Sequence, residues 1–325
     1  MPTFIEVCAG AGGLSTGFMN EGFTPLLINE ILPVACETLK MNHPDAPIHE
    51  GSMTDLDLIP FRGKVDVLMG GVPCQSFSHA GERKGMDDPR GQLVVTFHRL
   101  VQQCRPKLFF IENVKGLTTH DKGQTLQNII ALFSQDGYVV DYKVLNSVDY
   151  GVPQKRERVF IVGVKGASFT FPPKMEGPIP TLRAVLQNVP PSQGAVYPEA
   201  KRAVMALVPP GGCWVDLPPT VKEAYMGNCL HAGGGKRGMA RRLSLDEPCL
   251  TLTTSPAQKQ TERCHPLEVR PFTVREYARI QTFPDTYEFD GCMAAQYKQI
   301  GNAVPVKLAE AMARNVRARL EVPEM

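Results

Sequence analysis

Short apolar runs alternate with stretches of helical periodicity through the first half of the chain. Phe4 to Cys8, Leu26 to Glu30, Val65 to Met69, Leu108 to Ile111, Tyr138 to Leu145 and Val159 to Val164 are rich in β-branched and aromatic residues and predict strands. Between them, apolar residues at helical spacing predict helices from about Leu14, over Leu93 to Cys104 and over Thr125 to Phe133. Strands alternating with helices predict an α/β fold with a doubly wound sheet. The pattern changes after Gly166, where prolines pair at Pro172-Pro173, Pro190-Pro191, Pro209-Pro210 and Pro218-Pro219 and helical periodicity fades. A helix capped by Thr273 then returns, and a last one runs to about Leu320. The division expected is a large domain, 1–169, completed by 272–325, around a smaller irregular domain, 170–271.

Three punctuations of this pattern carry candidate chemistry. Ala9-Gly10-Ala11-Gly12-Gly13 follows the first strand, and such a turn aims helix N–H groups at a ligand. Ser15 stands where the third glycine of a dinucleotide fingerprint falls, so a nicotinamide dehydrogenase stays open on this turn but is not favoured. Glu30 ends the second strand at the distance used to bind ribose hydroxyls, although a helix-start acid reads equally well. Gly70-Gly71 ends another strand, and Pro73 stiffens the turn that presents Cys74. A Pro-Cys pair alone more often marks an inert buried thiol. Glu112 closes a further apolar run and Arg158 opens the next, which predicts thiol, carboxylate and guanidinium at one edge of one sheet. The polar segment Ser76 to Arg90 reads as a lid or as an ordinary surface loop.

Composition narrows the class. At 325 residues with 43% hydrophobic and 21% charged content, the chain has the makings of a soluble globular protein. Its N-terminus shows no basic leader, no apolar run reaches membrane-spanning length, and nine cysteines without a paired framework point to reduced thiols in a cytosolic or nuclear setting, of which the cytoplasm is expected. The net charge of +2 leaves nucleic-acid binding to a local patch, for which the cations between Lys236 and Arg279 are the candidates. Cys229, His231, Cys249, Cys264 and His265 fit no paired ligand spacing, so no metal is expected.

Pro73-Cys74-Gln75, Glu112-Asn113-Val114 and Gln154-x-Arg156-x-Arg158 resemble, in identity and order, the catalytic motifs of the DNA cytosine-5 methyltransferases. The glycine turn, the Arg-Glu-x-Ala-Arg-x-Gln-x-Phe-Pro stretch from Arg275 and Gln299-Ile300-Gly301-Asn302 extend the resemblance over nearly the whole chain, in a form similar to bacterial restriction-modification enzymes. It implies a Rossmann-like S-adenosylmethionine-dependent domain and a target-recognition domain. It further implies a catalytic set of Cys74, Glu112, Arg156 and Arg158. The cofactor set implied is Cys8, Ala9, Gly10, Gly12, Gly13, Leu14, Glu30, Ile31, Ser52, Met53, Gly71, Pro73, Leu93, Asn302 and Ala303. DNA contacts are expected from Gln75, Ser76, Ser78, Arg90, Lys236, Arg237, Thr251 and Thr253. Two positions depart from the family pattern, Cys8 for Phe and Ser52 for Asp, and a neutral hydroxyl accepts a hydrogen bond more weakly than a carboxylate.

Carbon 5 of cytosine is a poor nucleophile until a thiolate adds to carbon 6. Cys74 is the expected nucleophile, with Glu112 at N3 and Arg158 near O2 to stabilise ring charge. The target lies in a duplex stack, so the base has to be flipped out. The expected enzyme is a monomer acting on double-stranded DNA near the nucleoid, with a cognate endonuclease that shares its site without binding it. A tRNA cytosine-5 methyltransferase and a non-catalytic DNA-binding relative are the rivals; residues 170–271 favour DNA over tRNA.

Overall fold

The computed structural model describes residues 1–73, 89–231 and 238–322, with backbone alone at 89–91 and 231. The predicted alternation is present. β1 (Thr3–Val7), α1 (Gly13–Asn20), β2 (Thr24–Glu30), α2 (Pro33–Asn42), β3 (Ile48–Glu50) and β4 (Val67–Gly70) come first. α3 (Pro89–Cys104), β5 (Leu108–Val114), α4 (Gln124–Ser134) and β6 (Tyr138–Asn146) follow. Next come a short β7 (Gln154–Lys155) and a long β8 (Glu157–Lys165). Seven strands form one sheet in the order β3-β2-β1-β4-β5-β8-β6. The first five are parallel, and β8 runs antiparallel to both neighbours. From β1 the chain winds outward through β2 and β3, then returns to β4 on the other side. The strand order therefore reverses between β1 and β4, and the carboxyl ends there open the crevice where such sheets bind ligands.

The apolar runs explain why helices cover both faces. In β5, Phe109 packs against Phe97, Phe133 and Tyr138 on the α3 and α4 side. Its neighbour Phe110 points the other way, 5.4 Å from Phe18 of α1 and 6.2 Å from Phe160. All four residues of β4 are buried, as expected of a central parallel strand. Each such phenylalanine contributes about 1.5–3 kcal/mol by leaving water.

Two compact units divide the chain: Met1–Tyr150, Glu157–Met175 and Val304–Met325 form the first, Gly151–Arg156 and Glu176–Ala303 the second. These bounds differ from the division 1–169 with 272–325 around 170–271. The second unit takes in Gly151–Arg156, resumes at Glu176 and includes α5 (Leu182–Val185), α6 (Glu199–Ala206), α7 (Pro219–Met226), β9 (Cys249–Leu250), α8 (Val274–Ile280) and α9 (Met293–Asn302). The reason is packing: Tyr277 of α8 lies 5.0 Å from Tyr297 of α9, whose hydroxyl donates to the Phe272 carbonyl at 2.6 Å. Gln281 adds a buried bridge, accepting from Gln154 and donating to the Ile300 and Ala303 carbonyls. The Thr273 cap is present and reciprocal, with Glu276 accepting from the Thr273 N–H at 2.7 Å.

The second unit has little regular structure, and arginines hold its loops. Arg242 donates to the carbonyls of Val208, Pro266 and Leu267. Arg275 donates to those of Pro284 and Tyr287, and Arg279 to those of Val185, Gln187 and Asn188. Arg270 is paired with Glu268 and Glu276. The expected basic patch is therefore largely an internal framework, because unpaired loop carbonyls need donors. Among the described residues, no helix is long and apolar enough to cross a membrane.

Candidate active site

The turn after β1 is built on left-handed backbone, with φ of 54° at Cys8, 56° at Gly10 and 77° at Gly12. Glycine takes this conformation without the side-chain clash that makes it rare elsewhere. Gly12 precedes α1, and its carbonyl accepts from the Thr16 N–H at 2.8 Å. Glu30, at the end of β2, is buried beneath the turn. One carboxylate oxygen accepts from the Gly10 N–H at 2.7 Å, and the other from the Ile31 and Leu32 N–H groups at 2.9 Å each. The carboxylate thus holds the turn and the start of α2 together. On the outer side, a Cβ added at Gly10 would meet nothing within 4 Å, and Ile31 is 60% exposed. An open glycine turn beside a carboxylate at a strand end and an exposed apolar side chain fits a nucleoside-bearing cofactor. Ala9 and Leu14 are buried in the core, and Gly13 opens α1.

Two further residues shape this region. Asn29 donates to the Gly51 carbonyl at 2.8 Å, tying the segment after β3 to β2. Glu6 is buried in β1 and accepts from the Ser15 hydroxyl, which gives that serine a purpose a glycine lacks. Burial pushes the Glu6 carboxyl up to about 8. Neither residue is distinguishable by sequence from an ordinary polar residue in a strand.

At the two departures from the family pattern, the Cys8 thiol donates to Met53 Sδ at 3.5 Å. Burial, then the carboxylates of Glu30 and Glu6, push that thiol up to about 12, so it stays neutral. The Ser52 hydroxyl accepts from the Thr54 N–H at 3.2 Å and caps the short helical turn Met53–Asp55. Cys8 and Leu93 are partly buried against the same core cluster that contains Met53.

The reactive edge lies where β4 and β5 end. A Cβ at Gly70 would sit 2.6 Å from the Val7 carbonyl, so only glycine lets β1 and β4 approach this closely. Asn113 donates to the Val72 carbonyl at 2.7 Å and pins the segment leading to Pro73. Glu112 sits beside it, in a strand longer than its apolar run: Glu112, Asn113 and Val114 continue β5 because they pair with Phe160, Val159 and Arg158 of β8. Arg158 Nε lies 2.9 Å from Glu112 Oε1, with the side chains 15% and 11% exposed. The second carboxylate oxygen faces Gly71, where an added Cβ would be 3.4 Å away. Carboxylate and guanidinium thus meet at one sheet edge, as expected. Cys74 itself lies outside the described residues, as do Gln75, Ser76, Ser78, Lys236 and Arg237, and Arg90 is described by its helical backbone alone.

Arg156 is bonded within the second unit. It is 1% exposed, and its guanidinium donates to the carbonyls of Gly301 at 2.9 Å, Asn302 at 3.2 Å and Leu252 at 3.4 Å. Those bonds make it a brace of the second unit and do not direct it at a reacting base. The Thr251 hydroxyl donates to the Lys155 carbonyl and that of Thr253 to the Ser255 carbonyl, so both donors expected for DNA are already engaged. Asn302 ends α9 and is exposed, and Ala303 is buried beside it. Among the described residues no group of three or more His, Cys, Asp or Glu is placed to hold a metal ion.

The model of the C-5 cytosine-specific DNA methylases matches residues 2–318. The chain belongs to that family. The type II methyltransferase M.Eco47II of Escherichia coli is 48% identical over 97% of this chain and 78% of its own length. M.Sau96I of Staphylococcus aureus is 49% identical over 96% of this chain and 74% of its own. A solved Escherichia coli prophage protein, described as a DNA modification methyltransferase, superposes with a TM-score of 0.73 at 25% identity, covering 99% of this chain and all of that one. The Schizosaccharomyces pombe Dnmt2 methyltransferase shares the fold, with a TM-score of 0.72 at 16% identity over 99% of this chain. This C-5 cytosine DNA methyltransferase is thus a relative of restriction-modification enzymes, and its family takes the methyl group from S-adenosylmethionine.

Proposed function

We propose that this methyltransferase modifies a flipped cytosine in a specific double-stranded DNA sequence through a covalent bond from Cys74. The observation that supports this most is the Glu112–Arg158 pair at the ends of adjacent strands, beside the Gly71 backbone. N3 and O2 are neighbouring atoms on one edge of cytosine. A carboxyl group and a guanidinium side by side match that edge, with Glu112 donating to N3 and Arg158 to O2. Charge that builds on the ring when the Cys74 thiolate adds to carbon 6 is then stabilised, and carbon 5 gains electron density. Loss of the carbon 5 proton and expulsion of the thiolate restore the ring. Asn113 acts from behind by fixing Val72, two residues before the nucleophile. Bound S-adenosylmethionine supplies the methyl group as an electrophile on its sulfonium. Gly10, Gly12, Glu30, Ile31 and Met53 would hold it.

In this reading the second unit recognises the DNA. The enzyme is the modifying member of a bacterial restriction-modification pair and acts as a monomer on chromosomal DNA, with an endonuclease that reads the same site independently. Incubating the purified protein with S-adenosylmethionine and unmethylated plasmid, followed by bisulfite sequencing, tests it. The expected result is 5-methylcytosine at one position of one recurring sequence. Methylation of tRNA with none of duplex DNA would overturn it.

A further inference from the structure

The second unit buries an ion pair that the chemistry above leaves unused. Glu262 has a side chain 0% exposed, and its Oε1 lies 2.6 Å from Nζ of Lys201 on α6. The same ammonium donates to the Ala257 carbonyl at 2.8 Å and sits 4.9 Å over the Tyr197 ring. Tyr225 of α7 donates to Glu262 Oε2 at 3.3 Å, and the Glu262 N–H donates to the Gly238 carbonyl at 3.0 Å. Taking two charges out of water is costly, and such a pair adds little net stability over an apolar one. Its use is better sought in what it holds in place.

It holds one loop. Arg263, buried next to Glu262, donates from Nε and Nη2 to the Thr251 carbonyl at 3.1 and 2.9 Å and closes the loop's base. The Arg263 N–H donates to the Pro256 carbonyl at 3.3 Å, and the Thr261 N–H to the Gln258 carbonyl at 3.1 Å. Lys201 grips the middle through Ala257. Thr254, Ser255, Gln258, Lys259 and Gln260 are exposed at the tip. Lys259 is drawn back to α7, with Nζ donating to the Tyr225 carbonyl at 2.8 Å, and the Gln258 carboxamide accepts from the Thr261 hydroxyl at 3.3 Å. Gln260 presents an exposed carboxamide two residues from the buried carboxylate. A carboxamide offers a donor and an acceptor side by side, which is what the edge of an adenine in the major groove requires.

We infer that Gln260 is a specificity-determining residue that reads one base pair of the methylated site, and that the buried Lys201–Glu262 pair is the positioning device that sets its register. The inference rests on the second unit being the part that recognises DNA.

Methyl transfer by the full chain to duplexes carrying its own site, and every single-base change of it, tests both roles. Gln260→Ala should lower kcat/KM on the proper site by about tenfold and relax discrimination at one position, with kcat at saturating DNA changed less than about threefold. The double variant Lys201→Met with Glu262→Gln keeps the volumes and removes both charges; it should relax the same position while melting cooperatively. Intact discrimination at every position in Gln260→Ala, or in the folded double variant, overturns the corresponding role. Should the double variant fail to fold, Tyr225→Phe removes one hydrogen bond to the carboxylate and should relax the same position by about twofold; an unchanged pattern there overturns the positioning role. Exchanging Glu176–Ala303 for the matching segment of a relative with a different site separates the two readings. If the exchange transfers the site and Gln260→Ala changes nothing, this inference fails and the recognition role of the unit stands. If the exchange leaves the site as it was, the recognition role itself fails.

Discussion

Glu6 lies in β1 with its carboxyl group shut away from water, facing the Ser15 hydroxyl. Burial raises its pKa from 4.5 to about 8, with the charge of Glu30 adding to the rise. At neutral pH the folded protein therefore keeps a proton that the unfolded chain has lost. The stability this proton contributes is fully present below pH 4.5 and is lost as pH rises through about 8. Glu6→Gln carries no titrating proton. The stability of the wild type relative to Glu6→Gln should fall by about 1.4 kcal/mol per pH unit across that window and level off above it. Urea midpoints at pH 5.5, 7 and 8.5 measure it, and parallel profiles for the two proteins would contradict the assignment. Sequence showed Ser15 only as a missing glycine. Its hydrogen bond to a strand residue nine positions earlier depends on the turn's left-handed path, which no local pattern specifies.

At the scale of elements, the strands and helices were legible because apolar periodicity states which face is buried. Their ends were less so. Glu112-Asn113-Val114 reads as the segment after a strand, since its polar residues break the apolar run. It is nevertheless strand, because β8 pairs with it as far as the crevice. The ends of β5 and β4 are then coupled through Asn113 and the Val72 carbonyl. Asn113→Ala removes that bond next to the segment carrying the nucleophile. Single-turnover methyl transfer should fall by about tenfold or more, because small displacements of a reacting group are costly, while DNA affinity changes little. A rate within about twofold of wild type would show that Val72 and Pro73 hold their path unaided.

Across the whole molecule, the arginines share one physical task. The cations between Lys236 and Arg279 read in sequence as a basic patch and Arg156 as a catalytic group; in the structure Arg156, Arg242, Arg275 and Arg279 bind loop carbonyls. A region poor in helix and strand leaves many backbone acceptors unpaired, and arginine satisfies several at once. Sequence shows the charge but not where it points. The attachment of α8 to the second unit was hidden likewise, since Gln154 and Gln281, which bond to each other, lie far apart in the chain. The reactive edge was legible because short motifs at strand ends become neighbours once the strand order is known.

The central claim, a covalent bond from Cys74 to cytosine carbon 6, is tested most directly with duplex DNA carrying 5-fluorocytosine at the target position. Addition and methyl transfer can proceed on it, but no carbon 5 proton remains to be removed, so the thiolate cannot leave. The expected result is an enzyme–DNA adduct that survives denaturing electrophoresis, requires S-adenosylmethionine, disappears in Cys74→Ser and persists when Cys104, a thiol buried in α3, is replaced. Peptide mapping should place the bond on Cys74. A bond on any other residue, or stable methylation of the fluorinated base with no adduct, would contradict it.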